Sequence, residues 1–237
     1  MTRPALFALL LILLAGFSVA SLALGPAGVV LPQSLAWGDG HQGTDGIVFW
    51  ELRMPRTLVA ILAGAVLGVC GAALQGLLRN PLADPGLLGV SGAGALGGVG
   101  ALYFGFASLS IVAMPLAGLG AAALAMAALL LLAGRQPPPA TLILAGLAIN
   151  ALVGALTWLA LALAPSPFAA AEALTWIMGT LDAASLQDAA MIAPFAVLSA
   201  VLLVPLAKGL DALALGEEAA ASLGVVPSRI RLMAVAG

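Results

Sequence analysis

Long apolar stretches without charge limit what this chain can fold into more than any other feature. Of its 237 residues, 63% are hydrophobic and only 8% are charged, whereas a soluble globular domain carries about 25% charged residues. A helix that crosses the hydrocarbon core of a bilayer needs about 20 apolar residues in succession. The sequence therefore predicts an all-α fold, a polytopic transmembrane helical bundle.

Six stretches reach or approach that length. The predicted spans are Pro4–Leu24, Thr57–Leu78, Leu87–Phe106, Ile111–Ala133, Thr141–Ala164 and Ala189–Leu206. A seventh begins after Arg231 and is incomplete at Gly237. The first stretch could also be a cleavable signal peptide, but its apolar core exceeds the usual length of about 7–15 residues, so we count it as a helix. We expect one transmembrane domain, residues 1–237, with six complete spans and the start of a seventh.

The distribution of basic residues predicts the orientation. Cytoplasmic loops of membrane proteins carry an excess of Lys and Arg. If the N-terminus is cytoplasmic, only Arg53 and Arg56 fall on the outer side. The basic residues on the inner side are then Arg3, Arg79, Arg135, Lys208, Arg229 and Arg231. We therefore predict a multi-pass protein of the cell membrane with a cytoplasmic N-terminus.

The spans lack the groups that most membrane catalysts and carriers need. None has Asp, Glu, Lys, Arg or His in its apolar interior, whereas ion-coupled carriers place such groups near the midplane. This disfavours an ATP-independent secondary carrier or channel, which stays as the alternative. A phosphate-binding loop requires Lys followed by Ser or Thr, and the only lysine, Lys208, precedes Gly209. The chain is thus predicted to be no ATPase, and a partner must supply the energy for transport.

Small and polar residues within the spans have two interpretations. In the second span, Gly64, Gly68, Ala72 and Gly76 recur at every fourth position, which is typical of closely packed membrane helices. Gln75 and Asn150 are polar residues inside apolar spans. We assign these six residues to helix packing or to a translocation path and leave both roles open.

Charged clusters frame the second span. Arg53 and Arg56, on the side that the positive-inside rule disfavours, are either a capping cluster neutralised by Glu51 or a docking site for an acidic patch on a soluble partner. The inner end of the span is followed by a turn that cannot continue a helix. Its residues are Arg79, Asn80, Pro81, Asp84 and Pro85.

Residues 208–229 are too mixed in character to span a membrane. Gly216 is suited to end one short helix, while Glu217 and Glu218 are suited to the first turn of the next. Helices that lie on a membrane surface are typically rich in Lys and Arg on their polar face, so an acidic pair favours a soluble partner. We call this the coupling segment. Its candidate residues are Leu215, Gly216, Glu217, Glu218, Ser222, Leu223 and Gly224.

Metal ions, cofactors and nucleic acid are not predicted ligands. His41 stands alone among glycines, with no second strong ligand at a fixed spacing, and Cys70 is the only cysteine. A net charge of −2 is too small to attract nucleic acid. A further apolar stretch, Ala173–Leu181, is too short to cross and predicts a re-entrant or interfacial outer helix.

Four blocks together resemble one family. They are Arg53-Met54-Pro55-Arg56, the stretch from Gly71 to Gly89 with its Arg79-Asn80-Pro81 turn, Trp176-Ile177-Met178-Gly179, and Ala214 to Gly224. In this order they resemble the permease subunits of bacterial ABC importers for iron-siderophores, haem and cobalamin, the FecCD type.

The resemblance implies a ten-helix permease in the inner membrane, working as a homodimer or close heterodimer. Two separate ATPase subunits lie below it, a substrate-binding protein docks outside, and membrane lipid surrounds it. Arg53 and Arg56 match outer arginines that pair with glutamates of the binding protein, and the coupling segment matches helices that sit in a cleft of the ATPase. Because the family pattern has ten helices, we also predict a chain incomplete at its C-terminus, with a non-transporting remnant as a further alternative.

Overall fold

The computed structural model describes residues 2–25, 44–134 and 138–236, and this part of the chain is helical without strands. His41 and Arg135 lie outside the described residues. The helices are α1 (Arg3–Ala23), α2 (Thr44–Ile47), α3 (Met54–Leu78), α4 (Val90–Tyr103), α5 (Ala113–Ala133), α6 (Pro139–Ala162), α7 (Pro167–Met178), α8 (Leu186–Leu203), α9 (Ala207–Ala214), α10 (Glu217–Ser222) and α11 (Pro227–Ala236). A π-helical turn, Val48–Arg53, joins α2 to α3.

Five helical segments among the described residues are long and apolar enough to cross a membrane. They are Pro4–Ala23, Asp45–Leu78, Ala113–Ala133, Ala140–Ala162 and Leu186–Ala214. This confirms the predicted polytopic helical fold. Within the third predicted span, Leu87–Phe106, the α-helix α4 has only 14 residues, a length of about 21 Å.

Glycine conformations at both ends shorten α4. Before it, the Asp84 carboxylate accepts a hydrogen bond of 2.7 Å from the Gly86 backbone N–H and starts a 3-10 turn, Pro85–Leu88. Gly89 then turns the chain with φ +76°, and Gly105 ends the segment with φ +74°. This left-handed region is accessible to glycine at little cost, so the chain changes direction where the apolar pattern alone predicts a continuous helix.

Two other boundaries differ from the sequence prediction. The short apolar helix α7 begins at Pro167, because the Ser166 hydroxyl caps its first turn by accepting a hydrogen bond of 3.1 Å from Ala169 N–H. The last described helix, α11, begins at Pro227 rather than after Arg231. Proline is favoured at the first position of a helix, where its missing N–H is not needed.

The described helices group into two compact units. Unit 1 comprises residues 1–66 and 181–198, and unit 2 comprises residues 67–180 and 199–237. The larger apolar core belongs to unit 2 and includes the fully buried Leu129 together with Leu77 and Leu206. A single transmembrane domain over residues 1–237 stays a prediction.

Helix α4 packs closely against α5 in unit 2. A Cβ added at Gly97 would lie 2.5 Å from the Ala117 carbonyl oxygen and 2.6 Å from the Ala121 Cβ. Gly94 and Gly118 face each other in the same way, since a Cβ at Gly118 would be 3.1 Å from the Gly94 oxygen. Small residues on both helices therefore allow the two backbones to approach closely.

The glycine stripe of α3 does not make such contacts. No described atom beyond the helix's own backbone would lie within 4 Å of a Cβ at Gly64 or Gly68, and Ala72 is exposed. Only Gly76 packs closely, because a Cβ there would meet the Leu210 Cβ at 3.2 Å. Within this chain the first three positions have no close neighbour, and their assignment to helix packing or to a translocation path stays a prediction. A stripe shows that a helix can pack closely, but does not identify its partner.

We expect Gly97→Ala to destabilise the pair formed by α4 and α5. The added methyl group meets a backbone carbonyl, and overpacking of this kind costs about 1–3 kcal/mol. Gly100→Ala is the matched control on α4, because its Cβ would have open space. Thermal unfolding in detergent measures both variants. Equal midpoints would contradict the close approach of these two helices.

Candidate functional site

The first candidate site lies in unit 1 and is built around Arg53, the last residue of the π-helical turn. Its Nη1 donates hydrogen bonds of 2.9 Å to the carbonyl oxygens of Leu22 and Ala23. These carbonyls end α1, where a helix carries partial negative charge and lacks intrahelical donors. The guanidinium therefore caps α1, and Arg53 as a whole is only 8% exposed.

Two hydroxyl groups join α1 to α3 beside this cap. Thr57 Oγ1 donates a hydrogen bond of 2.9 Å to the Arg53 carbonyl oxygen. Thr57 Oγ1 also lies 2.8 Å from Ser21 Oγ, and Ser21 is the donor in this bond because the Thr57 proton is already used. Nothing in the sequence connects Ser21 with Thr57, since 36 positions separate them and neither follows a recognisable motif.

Arg56, in the first turn of α3, is the more accessible arginine of the pair. Its side chain is 40% exposed, and Nη2 lies 3.9 Å from the Asp182 carboxylate. The same nitrogen donates a hydrogen bond of 2.6 Å to the Asp182 backbone carbonyl. Asp182, rather than Glu51, is therefore the carboxylate near Arg56. The sequence prediction missed it because 126 positions separate the two residues.

The turn after α3 ends that helix as predicted. Arg79 has φ +50°, the one positive φ at a non-glycine residue in the described chain. Asn80 N–H then donates to the Gln75 carbonyl oxygen at 3.2 Å, and its side chain accepts a hydrogen bond of 2.9 Å from Leu82 N–H. Pro81 follows on the surface. Backbone and side-chain bonds together fix the helix stop that the Arg-Asn-Pro pattern predicts.

The second candidate site is the coupling segment in unit 2, where the predicted pair of short helices is confirmed as α9 and α10. Gly216 begins α10 with φ +116°. A Schellman cap ends it, in which Val225 N–H donates to the Ala220 oxygen at 2.9 Å and Gly224 N–H to the Ala221 oxygen at 3.0 Å. Gly224 has φ +80°, so glycine is required at both turns.

Contacts on one side hold the coupling segment and leave the other side uncovered. Glu217 accepts a hydrogen bond from Arg231 of α11. A Cβ at Gly209 would lie 2.6 Å from Ile230 Cδ1, which indicates close contact between α9 and α11. The exposed members are Leu215, Glu217, Glu218, Ser222, Leu223 and Gly224. Large apolar and acidic side chains therefore share a surface that no other described part of the chain covers.

The two polar residues assigned to helix packing or to a path lie at the surface of unit 2. Gln75 and Asn150 are both exposed. At Asn150 the turn before α4 comes close, since a Cβ at Gly89 would be 2.8 Å from its backbone nitrogen. A polar side chain on an apolar helix is unfavourable against lipid tails, which favours a water-filled path or another polypeptide beside these residues.

The side chains that commonly bind metal ions are scattered in the described part of the chain. No group of three or more His, Cys, Asp or Glu side chains there is arranged to hold an ion. Cys70 is half-buried in the core of unit 2, with its sulfur 3.7 Å from the Ser199 hydroxyl.

Comparison with known proteins gives a match along nearly all of the chain. The model of the FecCD transport family matches residues 8–237. The chain belongs to the FecCD transport family. Membership confirms the resemblance predicted from the four sequence blocks. As a FecCD chain it is a multi-pass permease-type subunit, and ATP hydrolysis belongs to separate subunits.

Three FecCD relatives illustrate the similarity. The ferric enterobactin permease FepD of Escherichia coli K12 is 36% identical over 94% of this chain and 67% of its own length. The Fe(3+) dicitrate permease FecD of the same organism is 34% identical, over 98% and 72%. The cobalamin permease BtuC of Halobacterium salinarum is 34% identical, over 83% and 53%. This chain thus spans about half to three quarters of the length of these relatives.

A solved structure shares the fold. A transporter assigned to the metal-chelate ABC type, in an inward-facing conformation, superposes with a TM-score of 0.83 at 26% sequence identity. The match covers 99% of this chain and 71% of that one. The arrangement of the FecCD helices described above is therefore that of a membrane permease.

We expect Arg53→Met to loosen the end of α1. The change keeps an apolar stem but removes two hydrogen bonds from a charged donor, each worth about 1.5–3 kcal/mol. Hydrogen–deuterium exchange of the last turn of α1 should become at least tenfold faster. Arg56→Met makes the same chemical change without touching α1 and serves as the control. If both variants exchange like the unmodified protein, Arg53 does not cap this helix.

Proposed function

We propose that the chain is the permease subunit of an ATP-driven importer, with separate ATPase subunits supplying the energy. The coupling segment is the observation that carries this proposal. Its short helix is fixed by glycine turns at both ends and by the bond between Glu217 and Arg231. Its exposed acids and leucines suit a partner surface with apolar and basic groups. A rigid surface element of this kind can transmit movement from a motor to the membrane helices.

The orientation belongs to the same proposal. We infer a cytoplasmic N-terminus, which puts the coupling segment inside and Arg56 outside in accordance with the positive-inside rule. This topology needs the α4 segment to cross. The helix itself is about 21 Å long, so its flanking turns, Pro85–Leu88 and Phe106–Ser108, supply the remaining thickness.

The outer docking surface is proposed at Arg56, with a substrate-binding protein as its partner. Its side chain, 40% exposed, offers positive charge beside the exposed Asp182. Arg53 supports this surface indirectly, because its own guanidinium is occupied by the end of α1 and fixes the turn from which α3 starts. This differs from the sequence-based expectation that both arginines contact the binding protein.

The transport unit is proposed as a dimer of permease subunits around a central path. Gln75 and Asn150, exposed on apolar helices, support a path or a subunit interface along these faces. The uncovered small-residue face at Gly64, Gly68 and Ala72 leaves room for another helix. The cargo proposed is a metal chelate, an iron-siderophore or else haem or cobalamin, by similarity to the relatives named above.

Glu218→Lys tests the importer proposal. Glu218 has no ion pair among the described residues, so its reversal changes the docking charge without breaking the bond that Glu217 makes. We expect at least tenfold less co-purifying ATPase and a matching loss of ATP-dependent uptake of a ferric siderophore in proteoliposomes. Glu172→Lys, the same change on exposed α7, is the control. Unchanged ATPase assembly in Glu218→Lys would refute a role of this segment in coupling.

A pair of opposite charge changes tests the docking surface. Arg56→Glu should weaken binding of the substrate-binding protein identified from the neighbouring reading frames. Asp182→Asn should strengthen it a few-fold, because it removes a competing carboxylate from the same arginine. Biolayer interferometry on nanodiscs at low and high salt measures both affinities. The difference between each variant and the unmodified protein should shrink at high salt, because salt screens the charges. Equal affinities for the two variants would exclude Arg56 as a docking residue.

A further inference from the structure

A cavity of about 760 Å³, open to the surface at Leu131 and Arg229, lies in unit 2 where three helices have their ends. Its wall comes from the last turns of α5, the first turn of α6 and α11. Most of the lining is apolar, and Leu130, Leu131, Leu142 and Leu232 supply the large side chains. The polar lining comes from the first turns of α11, at Ser228, Arg229 and Arg231.

The cavity is amphipathic along its depth. α5 ends at Ala133, and α6 begins at Pro139, so these two ends lie near the same membrane surface. The arginines occur at the start of α11, next to those ends. Farther along the helices the lining is apolar, with Ala127 on α5 and Val235 on α11. In the proposed topology the cationic groups therefore lie at interfacial depth, and an apolar wall extends from there along the helices.

The charge of the cavity is only partly compensated. Arg231 is largely covered and bonded to Glu217. Arg229 is exposed, and no carboxylate among the described residues lies within 4 Å of its guanidinium. A neutral apolar ligand would leave this cation without a counter-ion, and a small anion would leave the apolar wall unfilled. The complementary ligand carries a negative headgroup joined to hydrocarbon, which describes an anionic phospholipid.

We propose that this cavity binds an anionic phospholipid, with the phosphate at Arg229 and an acyl chain along the leucine wall. Arg231 lines the same cavity, but its guanidinium is paired with Glu217 of the coupling segment. The Ser228 side chain adds a hydroxyl group that can donate to a phosphate oxygen. None of the residues proposed for docking the binding protein or for the translocation path takes part.

Native mass spectrometry of the full chain tests this proposal with two lipids of equal chain length, phosphatidylglycerol and phosphatidylcholine. The unmodified protein should retain phosphatidylglycerol preferentially. Arg229→Gln should weaken that retention roughly fivefold, since one basic residue near a membrane surface contributes about 1 kcal/mol. Arg229→Lys should keep most of it, because the charge remains. Lys208→Gln removes one exposed positive charge outside the cavity lining and should leave retention unchanged.

Several results would overturn the proposal. Equal retention of the two lipids by the unmodified protein would exclude selection by charge, and this measurement does not depend on the folding of any variant. An equal loss in Lys208→Gln would indicate diffuse surface attraction instead of a site. Displacement of the lipid by inorganic phosphate alone would reassign the cavity to a small anion. Absence of any retained lipid would indicate that polypeptide fills the space.

Discussion

The ends of the helices are the constraint on which the rest of this structure depends. Inside a bilayer, backbone carbonyls and N–H groups find no water, so each helix needs partners for its last turn. Three solutions occur here. A buried guanidinium caps α1, an arginine in a left-handed conformation ends α3, and glycine turns bound α4 and α10. The apolar side chains make these helices membrane-soluble, but the caps decide where each one begins and ends.

Both candidate sites are built on these helix ends. Arg53 connects the end of α1 to the start of α3, and Arg56 follows three positions later in the first turn of α3. At the other site, Gly216 and Gly224 enclose the two acids of α10. The residues proposed to meet partners are therefore held by backbone geometry. Fixed geometry reduces the entropy that a partner must remove on binding.

Local signals made part of the fold predictable from the sequence. The coupling helices follow from glycine, acid and proline at adjacent positions, and each of these acts within one turn of a helix. The extent of α4 was not predictable in this way, because hydropathy does not reveal the conformations of Gly89 and Gly105. The α3 stripe predicts a face that can pack closely, but a small-residue face carries no information about its neighbour. The pairing of Arg56 with Asp182 depends on tertiary structure alone.

Arg231 belongs to two surfaces at once, because it bonds Glu217 in the coupling segment and lines the cavity beside α11. A group that competes for Glu217 releases the guanidinium toward the cavity, and an anion that draws the guanidinium into the cavity exposes the carboxylate. Binding free energies linked through a shared group are reciprocal. The proposed lipid and the proposed motor would therefore change each other's affinity through this side chain.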